Sequence, residues 1–295
     1  MLGAAWIAGR AVLPAIEASG NGRVVAIASR DAERARALAA LYAGSRVSAS
    51  YEALLDDPHV DAVYIPLVNS LHKEWTLRAL AAGKHVLCEK PLGMNAAEAA
   101  EMVAAAEDSG LRLMEAFMYR FQPRIREFVA GLRDPLHVQA SFGFMLDDKA
   151  NYRLNSELGG GALLDVGCYT VNVARWILGE PKDVLARARK GGSRRNAVDL
   201  SVSALLQFKG GPTASLWASF ESPEEQELTV VTREGVHRLE RPFSWMEQAD
   251  PYRLMVESFA DSVQQDRPVA IPPSESIANM TVLDRIRHSA GLPKS

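Results

Sequence analysis

Gly83-Lys84-His85-Val86-Leu87-Cys88-Glu89-Lys90-Pro91-Leu92 is a short apolar run that ends in a carboxylate, a lysine and a proline. The part up to Cys88 reads as a buried strand. In an open α/β sheet, ligands bind outside the carboxyl ends of the strands, so a side chain held there is placed to react. Pro91 fixes the backbone just beyond Lys90. Alone, Lys90 would be a solvated lysine closing a strand; the flanking sequence decides against that.

Upstream of this run, Val24 to Ala28 reads as a strand and Arg30 to Ala43 as an alanine-rich helix opening at Asp31. Val60 to Pro66 is a strand and Leu71 to Ala82 a helix. Downstream, a helix from Asn95 to Ser109, capped by Asn95, leads to a strand from Leu111 to Glu115. Strands alternating with helical patterns predict a parallel sheet of βαβ units over this first part of the chain; the family resemblance described below implies a Rossmann NADP-binding domain over residues 1–118.

The opening places Gly3, Ala5 and Ala8 at the spacing of G-x-G-x-x-G/A, with alanine for the middle glycine. Small residues there let backbone approach a pyrophosphate at a helix N-terminus, although an alanine-rich helix start would look similar. The strand at Val24 ends in Ser29-Arg30, where an acid would meet a free ribose 2′-hydroxyl. A hydroxyl and a forked guanidinium suit a 2′-phosphate instead, so NADP is expected, with NAD the alternative. The competing reading makes Asp31 a helix cap and Arg30 a solvated side chain.

Only Met1 and Leu2 precede Gly3, whereas the first strand of such a fold is central in its sheet. Without about four more apolar residues the neighbouring strands would lack a shared partner. The expectation is a native start upstream of Met1, or a fragment; the intact mass of the native protein decides.

Past Glu115, a helix to about Leu132 is followed by strand patterns at 135–145, 184–189, 200–208, 213–220 and 227–232. Turn signals such as Lys209-Gly210-Gly211-Pro212 predict a mostly antiparallel sheet; the family resemblance described below implies that this sheet is open and belongs to a second, substrate-binding α/β domain, residues 119–295. Between the first two strands, Gly159-Gly160-Gly161 opens a helix to about Leu178. On it Asp165 and Tyr169 are i, i+4 and share a face. A carboxylate and a phenol there could handle a proton and bind hydroxyls; spacing alone favours a surface Asp and a half-buried Tyr.

Composition bounds the class. With 295 residues, 48% hydrophobic and 23% charged, the chain is an ordinary globular one with room for two cores. A net charge of −3 without basic clusters argues against nucleic acid or a membrane surface. Cys88 and Cys168 are too few for a disulfide framework and point to a reducing cytoplasm. His85 and Cys88 have no second ligand pair, so no metal is expected.

Together, Gly3 through Ala8, Pro66-Leu67-Val68-Asn69-Ser70-Leu71-His72, Glu89-Lys90-Pro91, Glu115 through Arg120, Gly159 through Tyr169, Asp250 through Met255 and Pro272 through Met280 resemble the glucose-fructose oxidoreductase / inositol dehydrogenase / MocA family. The resemblance implies hydride transfer between a nicotinamide and a carbinol carbon of a sugar, polyol or cyclic diol. It makes Lys90 the catalytic lysine and Asp165 a substrate-orienting carboxylate. Tyr169, where many members have histidine, resembles the branch of NADP-linked dihydrodiol and xylose dehydrogenases. Gly3, Ala5, Trp6, Ile7, Ala8, Ser29, Arg30, Pro66, Asn69, His72, Glu89 and Lys90 would then line the cofactor, and Arg120, Asp165 and Tyr169 the substrate. His72 is equally a structural residue at a helix start.

Loss of the hydroxyl proton as hydride leaves requires a base. A phenol titrates near pH 10 unperturbed, and a neighbouring ammonium would lower that value. Lys90 would so tune Tyr169 and stabilise alkoxide charge. The resemblance also implies a homodimer through the open sheet, although the short Val236–Tyr252 segment should narrow that sheet. The alternatives are a nucleotide-sensing protein without catalysis and an inactive truncated relative.

Overall fold

The computed structural model describes residues 1–191, 197–244 and 249–293. The chain forms two compact units. One comprises Met1–Leu92, Glu98–Gln122 and Met246–Ser276; the other Gly93–Ala97, Pro123–Trp245 and Ile277–Ser295.

In the first unit, β1 (Ala26–Ile27) pairs in parallel with β2 (Arg46–Val47). β3 (Ala62–Ile65), β4 (His85–Cys88) and β5 (Leu113–Glu115) form a second parallel group in the order β3-β4-β5. Met1 and Leu2 join the two groups. Leu2 bridges Ala28 in parallel, its N–H reaches the Tyr64 carbonyl at 3.0 Å, and Ala28 N–H reaches the Met1 carbonyl at 3.0 Å. Met1 and Leu2 thus act as the last residues of a central strand. Behind them lies a cavity of about 940 Å³ between Val24–Ala26 on one side and Val60–Ala62 on the other, floored by Phe259 and Val263. Ala62 is exposed although it lies mid-sheet.

The helices follow their sequence signals. α1 (Leu13–Ala18) continues a helical run that starts at Trp6 and includes a wide π-turn at Ala8–Val12. α2 (Ala32–Ala39) is capped by Asp31, which accepts the Arg34 N–H at 3.0 Å, a contact worth about 1 kcal/mol. α3 (Tyr51–Leu55), with Ser50 as cap, and the exposed two-residue β2 carry too little periodicity to be read from sequence. α4 (His72–Ala81) and α5 (Ala96–Ser109) flank β4 in the chain. The Ala96 N–H is bonded to Asp284 Oδ2 at 2.9 Å, a tertiary partner that local sequence does not reveal.

In the second unit, α6 (Pro123–Gly131) precedes β6 (Pro135–Met145). The helix α7 (Cys168–Leu178) is followed by β7 (Pro181–Gly191), β8 (Val198–Phe208), β9 (Thr213–Ser219), β10 (Glu221–Thr232) and β11 (Val236–Glu240). The six strands run in the order β11-β10-β6-β9-β8-β7, antiparallel except for the parallel β6–β9 pair. Along β8, Val202, Ala204, Leu206 and Phe208 are buried while Ser203, Leu205 and Gln207 are exposed, the alternation of a sheet covered on one face. Of the short stretch between Glu240 and Asp250, residues 245–248 lie outside the described set. α8 (Pro251–Gln264), capped by Asp250, and α9 (Pro273–Ser289) complete the chain.

Candidate active site

In the first unit the ends of β3, β4 and β5 converge. Glu89 N–H bonds the Ile65 carbonyl at 3.1 Å and Ala116 N–H the Cys88 carbonyl at 2.8 Å, so β4 delivers Glu89 and Lys90 at the carboxyl edge. Both are half-buried, and the Lys90–Pro91 peptide is cis. Tyr64 donates its hydroxyl to Glu89 Oε1 at 2.7 Å, and burial followed by the Glu89 charge pushes that phenol well above its ordinary range. Tyr252, near the start of α8, faces the same pair: burial and then Glu89 push its phenol up, and Lys90 opposes them. The sequence reading left Tyr252 out of the site, although Asp250-Pro251 marked the helix start that carries it.

Buried His72 ties two strand-end loops together, with Nδ1 2.9 Å from the Pro91 carbonyl and Nε2 2.9 Å from the Leu67 carbonyl. Burial lowers its pKa, while the Pro91 and Leu67 carbonyls pull the other way by favouring the protonated ring. Buried Glu115 accepts the Leu92 N–H at 2.9 Å, which fixes the chain past Pro91. Pro66 and Asn69 are buried on the loop after β3. Arg120 is engaged by Glu275 at 3.2 Å, and its side chain is 10% exposed.

The opening turn is built as its small residues require. Gly3 has φ 101°, and a Cβ there would lie 2.6 Å from Leu67 Cδ2. The helical run begins at exposed Trp6, followed by Ile7 and buried Ala8, while Ala5 is half-buried just before it. At the end of β1, Ser29 Oγ accepts the Asp31 N–H at 3.1 Å, which leaves its own proton to donate, and Arg30 is exposed.

In the second unit, Asp165 and Tyr169 lie on one continuous helix. The turn Leu163–Gly167 is a π-turn rather than the plain α-helix expected, and Tyr169 follows in α7. Such wide turns inside helices recur at functional sites. Tyr169 is buried, its ring 5.5 Å from Phe142 and 5.5 Å from Phe243, which themselves stack at 5.4 Å. Asp165 is buried and accepts the Arg153 Nε–H at 2.7 Å. Spacing alone favoured a surface Asp165; the arginine makes its burial tolerable. Sequence reasoning missed Arg153, which sits in a short 3-10 turn without periodicity. Its only signal was its place just before the glycine triplet.

The first unit is thus a parallel unit of dinucleotide-binding type with a lysine at a strand end, and the second carries a buried carboxylate and phenol on one helix. Residues 1–117 match the oxidoreductase family with an NAD-binding Rossmann fold, and residues 130–238 match the GFO/IDH/MocA C-terminal domain. The chain belongs to the GFO/IDH/MocA oxidoreductase family. It is 39% identical to D-xylose 1-dehydrogenase (NADP(+)) 2 of Haloferax volcanii, over 98% of this chain and 96% of that protein. A 3-ketoreductase from Actinomadura kijaniata, solved with NADP and TDP-benzene, superimposes with a TM-score of 0.87 at 30% identity over 98% of this chain and 96% of that one. Aldose-aldose oxidoreductase from Caulobacter crescentus, solved with glycerol, gives a TM-score of 0.91 at 27% identity with the same coverage.

Proposed function

We propose that the protein transfers a hydride between NADP and a carbinol carbon of a sugar, polyol or cyclic diol. The observation that carries this reading is the phenol of Tyr169, walled by Phe142 and Phe243 and set one turn beyond an ion-paired, buried carboxylate. A surface tyrosine would need none of that construction.

The residues present fit NADP. The turn at Gly3 and the backbone N–H groups at the start of the helix near Trp6 suit a pyrophosphate, and Ser29 with exposed Arg30 suits a 2′-phosphate. Bound NADP supplies the hydride acceptor or donor. Tyr169 takes the hydroxyl proton in oxidation and returns it in reduction. Asp165, oriented by its ion pair with Arg153, accepts a hydrogen bond from a neighbouring substrate hydroxyl. Lys90 stabilises negative charge as it develops on the reacting oxygen. Asn69 and Pro66 line the nicotinamide side, and Arg120, held by Glu275, borders the substrate.

We place the protein in a reducing, cytoplasmic setting, in keeping with two buried free cysteines, and assign it a small-molecule substrate rather than nucleic acid. We also expect a homodimer through the open face of the six-stranded sheet, where Leu185 and Leu205 stand exposed. The test is NADPH binding by protein fluorescence, followed by turnover on a panel of aldoses, polyols and cyclic diols. NADP-linked turnover of any of these is the expected result. Binding without turnover would favour the nucleotide-sensing alternative, and absence of both would remove the reading.

A further inference from the structure

We propose that Arg153 is a positioning residue that cancels the charge of Asp165 and so lets Tyr169 ionise. The catalytic consequence rests on the proton-transfer role given to Tyr169; the electrostatic claim does not.

Three observations carry it. First, Arg153 and Asp165 are directly paired at 2.7 Å with side-chain exposures of 29% and 9%, so solvent screens the pair poorly. Second, the arginine is held rigidly. Its guanidinium lies over the Tyr152 ring at 4.8 Å, its N–H donates to Asn151 Oδ1 at 3.1 Å, and its carbonyl accepts the Gly161 N–H at 2.9 Å. Third, the glycine triplet exists for this approach: a Cβ at Gly160 would sit 2.4 Å from the Arg153 carbonyl oxygen. Any other residue at Gly160 would push the arginine loop away from the helix.

The consequence is electrostatic. Asp165 is one helical turn from Tyr169, and an unpaired carboxylate there would oppose a second negative charge on the phenol. Burial pulls the Arg153 guanidinium down, but the charges of Asp165 and of the phenols of Tyr152 and Tyr169 outweigh it and leave it raised. By reciprocity, the arginine favours the anionic forms of those three groups.

The experiment is an ultraviolet titration of tyrosinate in the whole protein, with the Tyr169→Phe variant as baseline so that the difference reports Tyr169. Arg153→Gln should raise the midpoint by about one to two units, roughly a ten- to hundredfold change in acidity. Arg153→Lys should retain most of the effect, and Arg153→Gln/Asp165→Asn should return the midpoint towards wild type. Asp165→Asn alone should lower it, which decides the matter even if Arg153→Gln fails to fold. An unmoved midpoint in Arg153→Gln with intact circular dichroism, or in Asp165→Asn, would overturn the proposal. None of these readouts needs a substrate, so a failure of the oxidoreductase reading would be seen separately in the turnover panel.

Discussion

The carboxylate of Asp199, in the middle of the second unit, accepts the Leu163 N–H at 2.6 Å and so holds the first turn of the helix that carries Asp165 and Tyr169. Gly161, at φ 113°, leaves room for it; a Cβ there would lie 2.3 Å from Oδ1. An anion at a helix start is favourable, yet this one is almost wholly buried. Burial is the larger influence and pushes Asp199 up to about 6, against the Leu163 and Ala162 amides and the Arg287 charge.

A pH dependence follows from that shift. Because the folded pKa is raised from 3.8 to about 6, the stabilising contribution is complete below the unfolded value and is lost as pH rises through about 6. Two units correspond to about 3 kcal/mol. The stability of wild type minus that of Asp199→Asn, from urea unfolding, should therefore fall by about 3 kcal/mol between about pH 4 and pH 7. A constant difference would show that Asp199 keeps an ordinary pKa.

Substitution at the proposed reacting groups separates chemistry from binding. Tyr169→Phe removes the proton carrier and should lower kcat by about 10²–10⁴-fold while the NADPH dissociation constant stays within a few-fold. Lys90→Met should act in the same direction. Fluorescence titration alongside steady-state kinetics checks both. Intact turnover in Tyr169→Phe would return the phenol to a packing role.

Cofactor choice is testable at the end of β1. Arg30→Asp removes a charge-assisted bond and adds repulsion to a 2′-phosphate. It should cost about ten- to a hundredfold in kcat/KM for NADP, with NADH use unchanged or improved. Equal losses with both cofactors would place Arg30 outside the phosphate contact.

The cavity behind Met1 makes a stability prediction. The Met1 amine is fully buried and bonded to the Ala26 carbonyl at 2.8 Å, and burial lowers its pKa from 8.0 to about 5. A chain with a free amine at Met1 should therefore lose stability as pH falls from 8 to 5, by about 4 kcal/mol in total. Adding about five alternating apolar residues ahead of Met1 should fill the slot, raise Tm and abolish that slope. Calorimetry of both chains over this pH range is the check, and an unchanged Tm would mean the slot does not accept a strand.

Much of this was legible because it is periodic or punctuated. The run at His85–Cys88 becomes β4, Asp31 caps α2, and the alternation around Val202–Phe208 becomes β8, each from a local pattern that tertiary packing reinforces. The parallel β6–β9 pairing was not legible, because register between distant strands leaves no local mark. Nor was the role of Arg153: its partner lies in a different element, and a loop arginine looks the same whether it meets water or Asp165. The Asp165–Tyr169 spacing was read as plain α-helix, since a π-turn has no composition of its own.

That π-turn at Leu163–Gly167 behaves as a helix carrying one surplus residue. Deleting Val166 or Gly167 would let the helix regularise with its flanking turns nearly in register, and would bring Tyr169 to i+3 of Asp165. Evolutionarily, the step is a trap that is short to enter and hard to leave. A lineage selected only for a sturdier fold could shed the extra residue, gain stability, and lose the alignment of phenol and carboxylate.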